Sequence, residues 1–409
     1  MQNKATSSRT ILALLIFACI FINLINPKIT DLLLAITFVL SFFVPSDTSV
    51  STVFKNQEMK LITLAISAWL LSNAIGYITV PGLNAPQLEE LLGLRWIFAF
   101  YAMTIVGIKL KITDQNAVKA LSLCGLSVLF TVIYNLVTNP EPITRLEGTL
   151  GNANLFALSL LIPWAYLLGH VISSANKQSK RIGVAALLIY SIAIFGTMTR
   201  SAWIACAACL LMIPFFYKNR NLYKFALGSL TVVALAIVTN IAGLKDRVLY
   251  SFDLATESAQ GIRIAIWRMN WDIFLKHPIF GVGFFENYRI MPLYFDIIGK
   301  PNGEVHHHAH NQYLQTLVGS GIVGFVFYML IWISAAYFFT KKAFSLKNNP
   351  QLRGYAIGSL MIIIAYSISS LTESPLLMHS ARNFMLIFLG ISFGVLQKEE
   401  LQKSTSSQA

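Results

Sequence analysis

The segment GVAALLIYSIAIFGTMTRSAWIACAACLLMIPFFY, residues 183–217, decides the fold. It contains one charged residue, Arg200, in 35 positions. As a single helix it would extend about 52 Å at roughly 1.5 Å per residue, well beyond a hydrocarbon layer of about 30 Å. Basic residues stand on both sides of it: Lys177, Lys180 and Arg181 before, and Lys218, Arg220 and Lys224 after. Because Lys and Arg concentrate in cytoplasmic loops, we predict a hairpin of two membrane helices with Arg200 at its outer turn.

The rest of the chain has the same apolar character. Of its 409 residues, 56% are hydrophobic and 12% are charged, whereas soluble domains carry roughly 25% charged residues. This composition excludes an ordinary soluble fold and predicts an all-α integral membrane protein, a single polytopic domain of residues 1–409 with about 12 transmembrane helices. The predicted helices cover residues 11–26, 29–45, 60–80, 91–108, 117–138, 153–172, 183–199, 201–217, 225–244, 313–340, 354–372 and 383–396.

The basic residues also predict the orientation of these helices. With the N-terminus inside, the cytoplasmic segments hold 19 Lys and Arg residues and the short outer turns hold 4, which favours an N-in, C-in topology. The same asymmetry accounts for most of the net charge of +13, so we expect no nucleic-acid partner. Residues 245–312 then form one large periplasmic loop.

This loop is the part of the chain with soluble character, and we expect short amphipathic helices in it. Residues 262–276 keep a helical pattern that Pro278 ends, because proline disfavours helical backbone in the residue before it. Trp267 and Trp271 lie on one side of this pattern, and basic residues are available to lipid headgroups. We interpret it as a helix in the membrane interface.

Four arginines are not explained by topology, and such residues in or beside membrane spans usually have a functional partner. They are Arg95, Arg145, Arg200 and Arg382. Arg200 could anchor the hairpin to headgroups or bind a ligand. Arg145 begins the loop RLEGTLGNAN, which ends at Asn154 and is suited either to polar-ligand contact or to turn and cap chemistry. Arg95 could form a salt bridge with Glu89 or Glu90 upstream.

A histidine-rich segment, VHHHAHNQYL at residues 305–314, precedes a predicted helix. Three imidazoles could bind zinc, but adjacent residues point in different directions, and we predict no metal site; His306 and His307 are interpreted as solvated loop residues. His310 differs because Asn311 is a good N-cap for the helix that follows. The positive end of that helix favours a neutral imidazole, which could act as a general base, and His308 could orient or replace it.

These residues carry a resemblance to a known family. His310 and Asn311, followed after nine residues by GIVG at 321–324, resemble the H-N-x9-G-x-x-G signature of the O-antigen ligase and polymerase superfamily. The Arg145 to Asn154 loop resembles that family's Arg-x-x-Gly…Asn loop, and TRS at 199–201 resembles its outer turn. RIAIW at 263–267, followed by Pro278, resembles the opening of its large periplasmic loop. The ordered set extends over residues 145–325.

The resemblance implies a glycosyltransferase in the bacterial inner membrane with its active site facing the periplasm. It implies a donor glycan on undecaprenyl pyrophosphate and, for a ligase, a sugar hydroxyl of lipid A-core as acceptor, with neither metal nor ATP as cofactor. We assign His310 as general base and Arg200 and Arg263 to the pyrophosphate, since guanidinium groups match phosphate oxygens. Further predicted substrate contacts are Arg145, Asn154, Arg382, His308 and Asn311.

Other functions remain open at this point. An O-antigen polymerase would use the same donor with a second lipid-linked glycan as acceptor, and polymerases of the superfamily often have two large outer loops. Oligosaccharyltransferases that target proteins often carry a longer C-terminal outer part. A lipid flippase or transporter would place ionisable residues at the middle of the membrane and often has repeated halves, neither of which the sequence suggests.

Overall fold

Helices dominate the computed structural model of the protein, which describes residues 2–45, 49–79, 92–110, 114–138, 145–217, 220–249, 259–284 and 308–406. Those ranges contain no β-strand. The helices are α1 (Gln2–Ile22), α2 (Pro27–Phe43), α3 (Val50–Phe54), α4 (Gln57–Thr79), α5 (Phe98–Lys109), α6 (Asp114–Thr138), α7 (Ala153–Ser173), α8 (Lys177–Gly196), α9 (Arg200–Phe216), α10 (Arg220–Val238), α11 (Leu244–Leu249), α12 (Ala259–Lys276), α13 (Gln312–Ser345), α14 (Pro350–Ser369) and α15 (His379–Ser406).

Each of the twelve helices predicted from apolar runs overlaps a helix of the structure. Within the described ranges, eight helices are long and apolar enough to cross a membrane: α4, α6, α7, α8, α10, α13, α14 and α15. The chain is therefore an all-α, multi-pass integral membrane protein, as predicted. α1 and α9 are apolar but shorter, and twelve crossings remain a prediction.

The segment that decides the fold is a hairpin, as its length required. α8 ends at Gly196 and α9 begins at Arg200. The turn between them contains Met198 in the left-handed conformation, with φ of 53°. A non-glycine residue with positive φ is uncommon, so the contacts of this turn, described below, must hold it in place.

Close helix crossings build the interior of the bundle. α7, α14 and α15 are largely buried. Where α7 crosses α14, a Cβ at Gly169 would overlap the backbone of Gly358. Small residues let membrane helices approach until their backbones touch, which increases the packing contact between them. The N-terminal end of α7 and the turn after α14 both contribute to the site.

A kink in α13 joins this helix to the segment after α12. Gly321 has φ of 61° and ψ of −172°, a conformation that only glycine adopts readily. The backbone groups freed by the break are paired, because Val282 N–H donates to Val318 O at 3.1 Å and Ile322 N–H donates to Pro278 O at 2.8 Å. Broken helices are tolerated inside membrane proteins where the freed groups find such partners.

The helix predicted in the large loop is present as α12. It buries Ile262, Ile266 and Ile273 and exposes Arg268 and Trp271, so it is amphipathic as expected, and it ends before Pro278. α11 also lies in this loop. Residues 285–307, including His306 and His307, lie outside the described ranges, as do Glu89 and Glu90.

The two ends of the bundle carry different side chains. Basic residues that the charge count placed in the cytoplasm meet at one end, where Lys341 pairs with Glu58 at 3.4 Å and Lys342 pairs with Glu400 at 2.5 Å. The candidate site residues meet at the opposite end. The charge pattern is thus consistent with the predicted topology, and the direction of insertion stays a prediction.

Candidate functional site

Glu373 is at the centre of a polar cluster at the end of the bundle opposite the paired lysines. It lies in the turn of residues 370–378 between α14 and α15, and its side chain is 2% exposed. A carboxylate so deeply buried is stable only when it is paired and hydrogen-bonded. Its partners come from three other parts of the chain: Arg263 on α12, His310 before α13 and Asn154 on α7.

The start of α13 holds the turn that carries Glu373. The backbone N–H of Gln312 donates to the carbonyl oxygens of Ser370 at 2.8 Å and Glu373 at 2.9 Å, and the Gln312 Oε1 atom accepts from Leu376 N–H at 3.0 Å. These bonds satisfy groups at the end of the helix that would otherwise be unpaired. They also fix the distance between His310 and Glu373.

His310 is adjacent to that carboxylate in a strained backbone conformation. Its Nδ1 lies 3.4 Å from Oε2 of Glu373, and its φ is 47°. Non-glycine residues in the left-handed region persist where surrounding contacts impose them, and such residues cluster at functional sites. The His308 ring packs against the His310 ring with centroids 4.0 Å apart.

The segment before α13 is fixed from both sides. Trp267 on α12 donates its indole N–H to Ala309 O at 2.9 Å, and Ala309 N–H donates to Gln315 Oε1 at 3.0 Å. Asn311 caps α13, as predicted, because its Oδ1 accepts from Leu314 N–H at 3.0 Å. The Asn311 side-chain oxygen is therefore engaged in the hydrogen bond that caps α13.

Arg263 forms the shortest contact in the cluster. Its Nη2 lies 2.6 Å from Oε1 of Glu373, and the Arg263 side chain is 18% exposed. A guanidinium has five N–H donors, and this contact leaves others for an anionic ligand. Because Arg263 is partly buried and pairs with Glu373, part of its guanidinium faces the interior of the bundle.

Asn154 and Arg145 extend the cluster toward the α8–α9 hairpin. Asn154 Nδ2 donates to Glu373 Oε1 at 2.9 Å, and Asn154 Oδ1 accepts from Arg145 Nη2 at 2.7 Å. Arg145 also donates from Nε to Thr197 O at 3.0 Å and from Nη2 to Thr199 Oγ1 at 3.3 Å. The chain of contacts Arg145–Asn154–Glu373–His310 therefore joins the hairpin turn to the histidine.

The electrostatics of the cluster keep Glu373 charged. Burial raises the pKa of this carboxyl. The hydrogen bond with His310 and the positive charge of Arg263 together lower the pKa by more than burial raises it, so it lies below its usual value of 4.5. Hydrogen bonds and opposite charges favour the ionised form in this way. At neutral pH the cluster contains a buried carboxylate between a guanidinium and an imidazole.

Most of the residues proposed from sequence meet in this cluster, namely His310, His308, Arg263, Arg145 and Asn154. Arg200 follows Thr199, which contacts the cluster, and begins α9 half-exposed. Arg382 does not join the cluster: it contacts Leu376 O, His379 and the Trp96 ring.

Sequence reasoning missed Glu373 itself. The signal for it was an acidic residue in an apolar turn, TESP at 372–375, because an acidic residue beside a membrane span usually has a partner, as an arginine does. Within the described ranges, no three His, Cys, Asp or Glu side chains are grouped so that they could hold a metal ion.

Comparisons with known proteins bear on the region around this cluster. Residues 185–329 match the family described as O-antigen ligase. An uncharacterised protein of Haemophilus influenzae is 25% identical over 232 residues, which cover 52% of this chain and 56% of that protein. The chain thus spans little more than half the length of this relative. The family match includes Arg200, Arg263 and His310 and leaves Arg145, Asn154 and Glu373 outside it.

Proposed function

We propose that the chain, whose residues 185–329 match the O-antigen ligase family, transfers a glycan from undecaprenyl pyrophosphate to a sugar hydroxyl of lipid A-core. The observation that carries this proposal is the meeting of His310, Glu373 and Arg263 at one end of a membrane bundle. A base, a carboxylate that orients it and a guanidinium are the groups that this transfer requires.

His310 takes the proton from the acceptor hydroxyl. Nδ1 faces Glu373 at 3.4 Å, so with Nδ1 protonated the lone pair of Nε2 is available to the hydroxyl. A carboxylate on one nitrogen fixes the tautomer and the ring orientation and stabilises the positive charge that the ring gains. This carboxylate acts on the ring together with the dipole of α13.

The deprotonated hydroxyl oxygen attacks the anomeric carbon of the donor. A new glycosidic bond forms as the bond between that carbon and the pyrophosphate oxygen breaks, and undecaprenyl pyrophosphate leaves with the bonding electrons. Negative charge develops on its oxygens, where donors placed beforehand lower the barrier most. We assign this task to Arg263 and Arg200, because guanidinium groups bind phosphate oxygens at two points.

Arg145 and Asn154 have protein partners in addition to the substrate contact predicted from sequence. Their hydrogen bonds run to protein groups, with Asn154 between Arg145 and Glu373. We propose that their main role is to hold Glu373 and the hairpin turn in fixed positions relative to each other, and that direct contact with the glycan contributes less. Asn311 likewise acts through the helix it caps, and His308 supports the His310 ring.

A deletion strain tests the function. If the chain is a ligase, lipopolysaccharide on a gel will lack polymer while unattached polymer accumulates on the lipid carrier. Core bearing a single repeat would identify a polymerase instead. Independence from metal and ATP is tested with purified protein, donor and acceptor in EDTA without nucleotide, where transfer should continue; activity restored only by added zinc or magnesium would contradict it.

A further inference from the structure

A second polar cavity lies at the same end of the bundle, apart from the Glu373 cluster. It has a volume of about 480 Å³ and is bounded by α2, by the turn of Leu92–Ile97 with the start of α5, and by the start of α15. Its polar lining comprises Asp31, Arg95, His379, Arg382 and Asn383. None of these residues belongs to the Glu373 cluster, and substrate contact by Arg382 stays a prediction.

Arg382 is the unusual residue of this cavity. It is 5% exposed, and its Nη1 donates to Leu376 O at 3.2 Å. Its Nε is buried and has no hydrogen-bond partner in the described part of the chain. A buried guanidinium donor left unpaired costs free energy, so a ligand that accepted from Nε would be favoured.

The neighbouring Nη2 of Arg382 also has a weak hydrogen-bond acceptor. It lies 3.3 Å from Nδ1 of His379, and the same Nδ1 lies 3.1 Å from Oδ2 of Asp31. A ring nitrogen either carries a hydrogen or offers a lone pair, so it cannot donate to Asp31 and accept from Arg382 together. When it donates to the carboxylate, the Nε and Nη2 edge of Arg382 lacks an acceptor, and this edge binds phosphate at two points.

The charge of the cavity favours an anion. Arg95 acts electrostatically on Arg382 as a like charge, and the Trp96 ring lies 5.2 Å from the Arg382 guanidinium carbon. Asn383 Nδ2 donates to Asp31 at 2.8 Å. The described lining residues thus include two guanidinium groups and one carboxylate.

The shape of the cavity favours a lipid. Below the arginines its walls are apolar, formed by Leu34, Phe38, Ala99 and Ala102. At its edge Phe98 is 63% exposed, and Leu32, next to Asp31 on α2, is 62% exposed, as is usual for residues that face lipid in a membrane bundle. A ligand with a charged head and an apolar tail fits this arrangement.

We propose that this cavity binds the phosphodiester headgroup of a glycerophospholipid, with a phosphate oxygen pair on the Nε and Nη2 edge of Arg382. Arg95 at the rim shares the charge, and the acyl chains lie against α2 and α5. The negative charge of a phosphodiester is attracted by the two guanidinium groups of the described lining. The inference does not depend on the proposed transfer reaction.

Native mass spectrometry of the purified full chain tests the proposal. The protein in detergent is titrated with phosphatidylglycerol, and with diacylglycerol, which lacks the phosphate. We expect phosphatidylglycerol to bind at least about tenfold more tightly than diacylglycerol. Arg382→Gln should remove this difference in affinity, because the charged two-point contact is lost. Equal binding of the two lipids, or an unchanged advantage in Arg382→Gln, would overturn the proposal.

Matched variants separate the site from general effects of charge. Arg181→Gln changes an exposed arginine of α8 and should leave binding unchanged; a loss equal to that of Arg382→Gln would overturn the assignment. If Arg382→Gln fails to fold, Arg95→Gln at the exposed rim is measured instead. It should also reduce the preference for phosphatidylglycerol over diacylglycerol, and an unchanged preference would contradict the proposal. Ala99→Trp should block phosphatidylglycerol by filling the cavity. Tighter binding of lipid A than of phosphatidylglycerol at Arg382 would overturn the choice of a glycerophospholipid.

Discussion

Glu373 Oε2 lies 3.4 Å from His310 Nδ1, although 63 residues separate them in the chain. The backbone bonds from Gln312 to the Glu373 turn impose this approach. A carboxylate on one imidazole nitrogen leaves the other nitrogen free for proton transfer. The relationship therefore supports the assignment of His310 as the general base.

Replacement of His310 by alanine should abolish detectable transfer. A general base contributes on the order of 10² to 10⁴ in rate, and His308→Ala should have an intermediate effect because that ring packs on His310. Transfer by purified variants is measured together with binding of the lipid-linked donor, which His310→Ala should retain. His306→Ala and His307→Ala serve as controls and should be mild. Normal transfer in His310→Ala, or failure caused by lost donor binding, would refute the assignment as base.

Replacement of Glu373 by glutamine should lower kcat by no more than the roughly 10²- to 10⁴-fold contribution of the general base that it orients. Glutamine keeps the size of the side chain and can still contact Arg263, but it lacks the negative charge that stabilises a protonated His310. KM for the donor should change little. Glu58→Gln, at the opposite end of the bundle and paired with Lys341, is the matched control. Equal kcat in the two variants would show that Glu373 is not a positioning residue.

Arg200→Lys and Arg263→Lys should both lose most activity while the protein remains folded and inserted. Lysine keeps the charge but cannot form the planar two-point contact with phosphate. Arg181→Lys provides a control at an exposed position. Transfer assays combined with size-exclusion chromatography in detergent measure both properties. Near-normal activity in the two site variants would mean that these arginines only anchor their helices.

The stability contributed by Glu373 should depend on pH with a defined sign. Its folded pKa lies below its usual value of 4.5, so its contribution is complete above about pH 4.5 and is lost as the pH falls through the folded pKa. Below that pKa the wild-type side chain is neutral, as in Glu373→Gln. The difference in Tm between the two proteins should therefore be steady at neutral pH and shrink in acid. A difference that persists unchanged to about pH 2 would contradict this prediction.

The helices could be predicted from sequence because a membrane span needs a long apolar run, and each run is visible locally. The hairpin of α8 and α9 followed from its length and its flanking lysines alone. His310 was separable from its neighbours because Asn311 has a strong local preference as an N-cap. Such features depend on residues close together in the chain.

Glu373 and the separate position of Arg382 could not be predicted in the same way. Asn154 and Glu373 are 219 residues apart, and their contact depends on how α7 and α14 pack. Arg382 looked equivalent to Arg145 because both stand in outer turns. Only the packing of α15 against α2 and α5 assigns it to another cavity. Neighbouring residues in the sequence do not indicate how these distant helices pack.

Replacement of Gly321 by alanine tests the kink that couples α12 to α13. Its φ of 61° is strained for any other residue, and an added Cβ would overlap the carbonyl of Ile279. The change should disturb the paired segments that carry Arg263 and His310, lowering Tm and abolishing transfer. Gly125→Ala in α6 is the matched control, because open space surrounds that position and alanine favours a helix. If Gly321→Ala kept both wild-type Tm and wild-type transfer, the positions of His310 and Arg263 would not depend on the kink.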